Sequence, residues 1–231
     1  MNLSTDTIDV LKNFSNINQN ILVKPGKTVQ TISTMKNILA EAEIKEEFNS
    51  EFAIYDLPEF LRSIELFDSP KLNFNGGANV TINEEKSKQN IKYFFADKSV
   101  IVAPTKTITM PDKFVSFAFK KNDFAKLMKA ATTLNLVDVA VVGNGSKIHM
   151  VATDKKNKSS NEYSIDVGET DKTFKAYFKV ENFKMISDDY DVAISSQKIS
   201  HFINRNIEDC ILSQDIKETF SQFLSQKEIP N

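Results

Sequence analysis

Tryptophan is absent from the 231 residues, and cysteine occurs once, at Cys210. A lone cysteine excludes an internal disulfide and fits a reducing compartment. Flanked by Ile211 and Leu212, it reads as a small buried thiol, not a nucleophile. There are two histidines, His149 and His201. His149 alternates with Ile148 and Met150, which places it on the polar face of a strand with no partner to make it a general base. No cluster of His, Cys or carboxylates has metal-ligand spacing, so neither a metal nor another cofactor is expected. The glycine motifs KPGK, NGG and GNG read as hairpin tips, and no phosphate loop or dinucleotide fingerprint is present. No run of about 18 apolar residues exists, so no membrane span is predicted. MNLSTDTIDVLKNF has no basic segment before an apolar core and does not read as a secretory leader. Charge of one sign is also lacking: 29 basic residues face 31 acidic ones, a net charge of −2. Contact with nucleic acid therefore has to come from a local concentration of lysines. The carboxylates are scattered and nominate no catalytic pair, so an enzyme reading has no anchor.

Phenylalanine is abundant, at 18 residues, in a composition that is 41% hydrophobic and 26% charged. That is a globular composition, long enough for one large domain or two of about 100–120 residues. The phenylalanines read as filling for β-rich cores, given the area each buries. Helical spacing predicts four helices. The first covers 4–17, with Ser4 or Thr5 as N-cap and Ile8, Leu11 and Phe14 in its stripe. The second starts at Asp56 in DLPEFLRSIELF, with Pro58 in its first turn. The third covers 121–135 with Phe124, Leu127, Met128, Ala131 and Leu134 on one face. The fourth lies in KVENFKMISDD, with Val180, Phe183 and Ile186. Strands surround them: VKPGK as a hairpin tip, then KLNFN, NVTIN and NIKYFFAD, the hairpin LVDVAVVGNGSKIHMVAT, NEYSIDVG, YDVAIS, KISHFIN and DCILSQ.

The order repeats. Leu134-Asn135 stands 117 residues after Ile17-Asn18, Val180 stands 123 after Leu57, and FIN at 202 stands 121 after TIN at 81. The ribbon FFADKSVIVAPTKTITMPDKF, residues 94–114, then reads as the connector between two copies of one domain, its prolines forbidding a continuous helix or a central strand.

Lys120, Lys121, Lys126 and Lys129 face one acid, Asp123, giving a local charge of +3. The fourth helical segment adds Lys179 and Lys184, while the first and second offer only Lys12 and Arg62 among acids. A lysine-bearing polar face is ordinarily a solvated face. If equivalent helices from several domains face one another, such charges add into one concave positive surface that touches phosphates without reading bases.

Several segments resemble the sliding clamps of T-even-type phages, which are processivity factors of phage DNA polymerases and similar to proliferating cell nuclear antigen. LSTDTIDVLKNFSNINQNILVKPG is similar to the clamp's first helix and hairpin, FAIYDLPEFL to its second helix, IVAPTKTITMP to its connector, and KKNDFAKLMKAATTLNLVDVAV to the start of its second domain. The likeness covers roughly 2–213 and lies in the order and spacing of these segments. It implies an α+β DNA-clamp fold of two similar domains, each with antiparallel sheets and two helices: 1–103, a connector 104–112, and 113–213. It also implies a homotrimeric ring around duplex DNA that tethers DNA polymerase, is opened by an ATP-driven clamp loader, and supports late transcription in the cytoplasm of an infected bacterium. Under it, Lys12, Arg62, Lys120, Lys121, Lys126, Lys129 and Lys184 are DNA contacts. A partner-peptide groove beside the connector would be lined by Val100, Ile101, Val102, Ile108 and Met110; the alternative is that these residues pack the two domains together. Residues 214–231 extend past the family's usual end. Ile216, Phe220, Phe223 and Leu224 form an amphipathic stripe that either packs on its own subunit or lies across the groove. The rival to the clamp reading is a two-domain interaction scaffold that forms no ring.

Overall fold

The computed structural model describes residues 1–85, 87–105 and 109–206, and the backbone of strand 211–215. Cys210, Ile108 and the tail stripe from Ile216 onward lie outside the described residues. Contacts divide the chain into two units meeting between Ile108 and Thr109, inside the expected connector, and Lys184–Ile186 groups with the first unit.

The first unit runs α1 (Thr5–Ile17), β1 (Ile21–Val23), β2 (Gly26–Ile32), β3 (Ile38–Phe48), β4 (Phe52–Ile54), α2 (Leu57–Glu65), β5 (Pro70–Phe74), β6 (Asn79–Glu84) and β7 (Asn90–Phe94). β1 pairs with β4, β2 with β3, and β6 lies between β5 and β7, all antiparallel. α1 starts where the Ser4 hydroxyl accepts the Thr7 N–H at 3.3 Å. Glu46 of β3 accepts from the Ser4 N–H and the Thr7 hydroxyl, tying the helix start to the sheet. Val10, Leu11, Phe14 and Ile17 are buried on one side of α1. Leu57, Phe60, Leu61 and Ile64 are buried along α2. Phe48, Phe52, Phe74 and Phe95 form a ring cluster with centroids about 5–6 Å apart.

The second unit runs β8 (Val115–Phe119), α3 (Lys121–Thr133), β9 (Asp138–Asn144), β10 (Lys147–Thr153), β11 (Tyr163–Glu169), β12 (Thr173–Lys179), a 3₁₀ turn at Val180–Asn182, β13 (Tyr190–Ile194) and β14 (Ile199–Asn204); β15 (Ile211–Asp215) follows in sequence, but Ile211–Ser213 of it group with the first unit. One sheet has the order β11-β10-β9-β12, and β13 pairs with both β8 and β14. Phe124, Leu127 and Ala131 are the buried residues of α3. Gly143 lets the chain pass beneath Phe174: a Cβ there would stand 2.3 Å from that ring. Gly145 turns the β9–β10 hairpin at φ +84°.

The internal repeat extends to single hydrogen bonds. Met1 and Leu72 exchange two backbone bonds of 2.8 Å, and the matching residues Phe117 and Val192 are register partners. The Leu57 N–H donates to Gln19 O at 2.7 Å, and the Val180 N–H donates to Val137 O at 3.0 Å. The phenylalanines are mostly core, as their number suggested, with Phe94, 65% exposed, an exception.

Two sequence readings need correction, and one strand went unread. VKPGK is not a hairpin tip: β1 and β2 pair with different strands, so Pro25-Gly26 is a corner between sheets, with Gly26 at φ +115°. The hairpin that exists joins β2 to β3 through Lys36 at φ +57°, without the glycine that usually marks such a turn. The predicted fourth helix is one 3₁₀ turn, because Lys179 offers no capping oxygen and Phe183 adopts ψ 54°, outside the helical range. The second unit thus has one α-helix among the described residues where two were expected, and β12 has no counterpart in the sequence reading.

Candidate DNA interface and partner groove

α3 turns its apolar side inward, which leaves Lys121, Lys126 and Lys129 exposed. None of the three has an ion-pair partner among the described residues. Lys120 is different. Asp189 supplies the cap that α3 lacks in its own sequence: its Oδ1 accepts the Lys121 N–H at 2.8 Å and its Oδ2 takes the Lys120 ammonium at 3.1 Å. Those two bonds, the backbone one first, hold the Asp189 carboxyl below its usual range. Asp189 therefore offsets part of the charge at the N-terminus of α3.

The first unit offers a weaker field. Lys12 of α1 is bound to Glu65 of α2 at 2.7 Å, and Asp6 of α1 is bound to Lys45 of β3 at 2.6 Å. Arg62 is exposed on α2 beside Glu59 and Glu65 in sequence. Lys184 is half-buried in the segment that replaces the fourth helix. Glu65, Lys45 and Asp189 were missed by sequence reasoning because each comes from a different element. Only Asp189, next to a β13 boundary, carried any signal, as a turn acid.

The connector is anchored at both ends. Asp97 accepts the Ser99 N–H at 2.8 Å and caps a 3₁₀ turn at Lys98–Val100. The Val102 N–H donates to Asn20 Oδ1 at 3.1 Å. In the second unit Asp112 accepts from the Ser195 hydroxyl and, at 3.2 Å, from the Ser196 N–H. The Ser195 bond comes first among the causes that hold the Asp112 carboxyl low. Of the predicted groove residues, Val100 is 54% exposed, and Ile101, Val102 and Met110 are half-buried. A small, partly enclosed pocket in the first unit is lined by Leu22, Lys24, Thr28, Gln30, Ala103 and Pro104. Its β1–β2 residues were invisible to a reading confined to the connector.

His149 does have a partner, contrary to the sequence reading. Its Nδ1 lies 2.6 Å from Asp166 Oδ1 and its Nε2 lies 3.2 Å from Asn144 Nδ2. Asp166 also binds Lys147 at 2.6 Å. Cross-strand pairing of β10 with β11 puts His149 opposite Asp166, seventeen residues on, which local spacing could not show. No cluster able to hold a metal occurs among the described residues, and none of their helices is long and apolar enough to cross a membrane.

A family model described as DNA polymerase processivity factor matches residues 4–103, and one described as gp45 sliding clamp, C terminal, matches residues 116–214. The chain belongs to the sliding-clamp family. The sliding clamp of Vibrio phage KVP40 is 34% identical over 215 residues, 90% of this chain and 96% of the relative. The sliding clamp of Enterobacteria phage T4 is 31% identical over 196 residues, 82% and 85% of the two chains. That of Escherichia phage RB69 is 30% identical over 200 residues, 84% and 87%. Proliferating cellular nuclear antigen from Entamoeba histolytica shares the fold at a TM-score of 0.68 and 13% identity, over 92% of this chain and 94% of that one. A chain of the PCNA2–PCNA3 complex from Sulfolobus tokodaii shares it at 0.67 and 12% identity, over 91% and 95%. The clamp is therefore a DNA polymerase processivity factor with two clamp-type domains. Its family works by tethering, without catalysing a reaction.

Proposed function

We propose that three copies of this clamp close head to tail into a ring around duplex DNA and hold the replicative polymerase at its primer end. The observation that carries the reading is the row of exposed lysines on the outward side of α3, Lys121, Lys126 and Lys129, which have no acidic partner among the described residues. Long flexible cations on a helix touch phosphates without a base-specific geometry, which suits sliding. Lys12, Arg62, Lys120 and Lys184 are secondary contacts, two of them already partnered by acids. A head-to-tail interface that closes makes a ring, and pairing its strand edges removes an aggregation hazard. The chain catalyses no reaction; an ATP-driven loader opens and closes the ring. The pocket under Ala103 and Pro104 takes an apolar peptide of the polymerase, and the same surface serves late-transcription factors in the cytoplasm of the infected bacterium.

The test is retention on circular DNA for Lys126→Glu combined with Lys129→Glu, alongside Arg62→Glu. Mass in solution is checked against about 78 kDa, three times the chain's 26.1 kDa. The double variant is expected to keep that mass and to slip off DNA faster. Its salt slope should flatten by about 0.9 for each phosphate that is no longer neutralised, and Arg62→Glu should do less. A single-chain mass at every concentration, with no assembly on DNA, would leave the scaffold reading instead.

A further inference from the structure

The turn between α1 and β1 gathers four elements of the first unit. Asn18 is the C-cap of α1 and is 4% exposed. Its Nδ2 donates to Ile32 O at the end of β2 (2.8 Å) and to Val102 O (3.2 Å), and its Oδ1 accepts the Asn20 N–H (3.1 Å). The next residue, Gln19, accepts through its carbonyl from Leu57, the first residue of α2 (2.7 Å). Asn20 Oδ1 accepts the Val102 N–H (3.1 Å). Both backbone polar groups of Val102 are thus held by side chains, as a neighbouring strand would hold them. Two residues on, Pro104 has no N–H and cannot continue such a ladder, so the hold is concentrated at Val102.

We infer that Asn18 and Asn20 are positioning residues for the partner groove: they fix the wall that begins at Val102 and carries Ala103 and Pro104 against the β1–β2 floor of Leu22, Thr28 and Gln30. This rests on the groove reading of the connector given above. A wall ordered before the partner arrives does not have to be ordered on binding, and that ordering is a main cost of association. The wall and floor are mostly apolar or neutral, with Lys24 the one charge among the described residues of the lining. The matching partner is an extended peptide with one apolar anchor and an acidic or neutral flank. The same turn carries the ends of α1 and α2, so the groove wall and the ends of both helices draw on one set of contacts.

The experiment uses the full chain, with Asn20→Ala removing the acceptor at Val102 and Asn20→Asp keeping one. It reads amide exchange at Val102, affinity for the cognate phage DNA polymerase, and mass in solution. Asn20→Ala is expected to speed exchange at Val102 and to weaken polymerase binding, each by roughly fivefold to tenfold, the weight of one hydrogen bond. Mass should not change, and Asn20→Asp should restore both readings. Unchanged exchange in Asn20→Ala overturns the clasp. Faster exchange with intact polymerase binding overturns the positioning role, provided Pro104→Glu, placed in the pocket itself, weakens binding. If Pro104→Glu also binds normally, the groove reading has failed, not the clasp. If Asn20→Asp does not restore exchange, the acceptor account of Asn20 is wrong.

Discussion

Residues 56–66 and 179–189 occupy the same place in the two halves of the clamp, and only the first is a helix. Both begin alike, with the N–H of Leu57 or Val180 bound to the carbonyl of a residue just before the strand that follows the first helix of its unit. After that the sequences diverge. Asp56 accepts the Glu59 N–H at 2.7 Å, Pro58 presets the first turn, and four apolar residues at helical spacing give a stripe to bury. In the second half Lys179 spends its ammonium on Asp138 at 2.6 Å, and only Phe183 among Val180, Phe183 and Ile186 is buried. Phe183 packs among Phe124, Phe178 and Phe202 at 5.7–6.4 Å. Asp188 and Asp189 are engaged elsewhere, the latter as the cap of α3. A position in a repeated fold needs an anchor, and a single ring in a cluster serves as well as a helical stripe.

The largest effect tests that equivalence. Phe60→Ala and Phe183→Ala should each destabilise by about 3–5 kcal/mol, as for large-to-small changes at buried rings. Urea melts resolved by unit would read the two losses. If Phe183→Ala cost far less than Phe60→Ala, the anchor reading of the second half would be wrong. Removing the caps should do less. Asp56→Ala and Asp189→Ala are each expected to cost about 1 kcal/mol, with Asp189→Ala fraying α3, visible as faster amide exchange at Lys121. The smallest effect is one of pH. Burial, then the charge of Lys113, holds the His201 imidazole below its ordinary value. The unfolded chain takes up a proton near pH 6.5 that the folded state resists, so this contribution is intact above that pH and is lost as pH falls toward the lower folded value. In the first half, burial pushes Glu46 up, but the bonds from Thr7 and Ser4 outweigh it and hold the carboxyl low. Its contribution is present above about pH 4.3, the unfolded value, and is lost as pH drops through the folded one. Between pH 6.5 and 5 the second unit should therefore loosen while α1 stays protected. His201→Gln should remove the difference in a pH series of hydrogen exchange; an unchanged profile would discard the account.

Much of the fold was legible where one local signal sufficed. Ser4 and Asp56 marked helix starts that the structure keeps, and Gly145 marked a hairpin tip. The lysines of α3 were legible too, since helical spacing alone puts Lys126 and Lys129 away from Phe124 and Leu127. Legibility ended where a residue's partner came from another element. Pro25-Gly26 looked like a hairpin because turn chemistry is the same at a corner, and only strand pairing tells them apart. His149 looked solitary because Asp166 reaches it across a sheet.

By itself the sequence determined the helix caps, the apolar faces, the doubling of one domain and the family, because each rests on residue type and spacing along the chain. Tertiary structure alone decided which cations are partnered by acids, which acid caps α3, and where the connector is held. Those outcomes depend on distances between residues as far apart as Asn20 and Val102 or Lys120 and Asp189. A hydrogen bond or ion pair forms only over about 3–4 Å, and no pattern along the chain fixes such a distance until the sheets have paired.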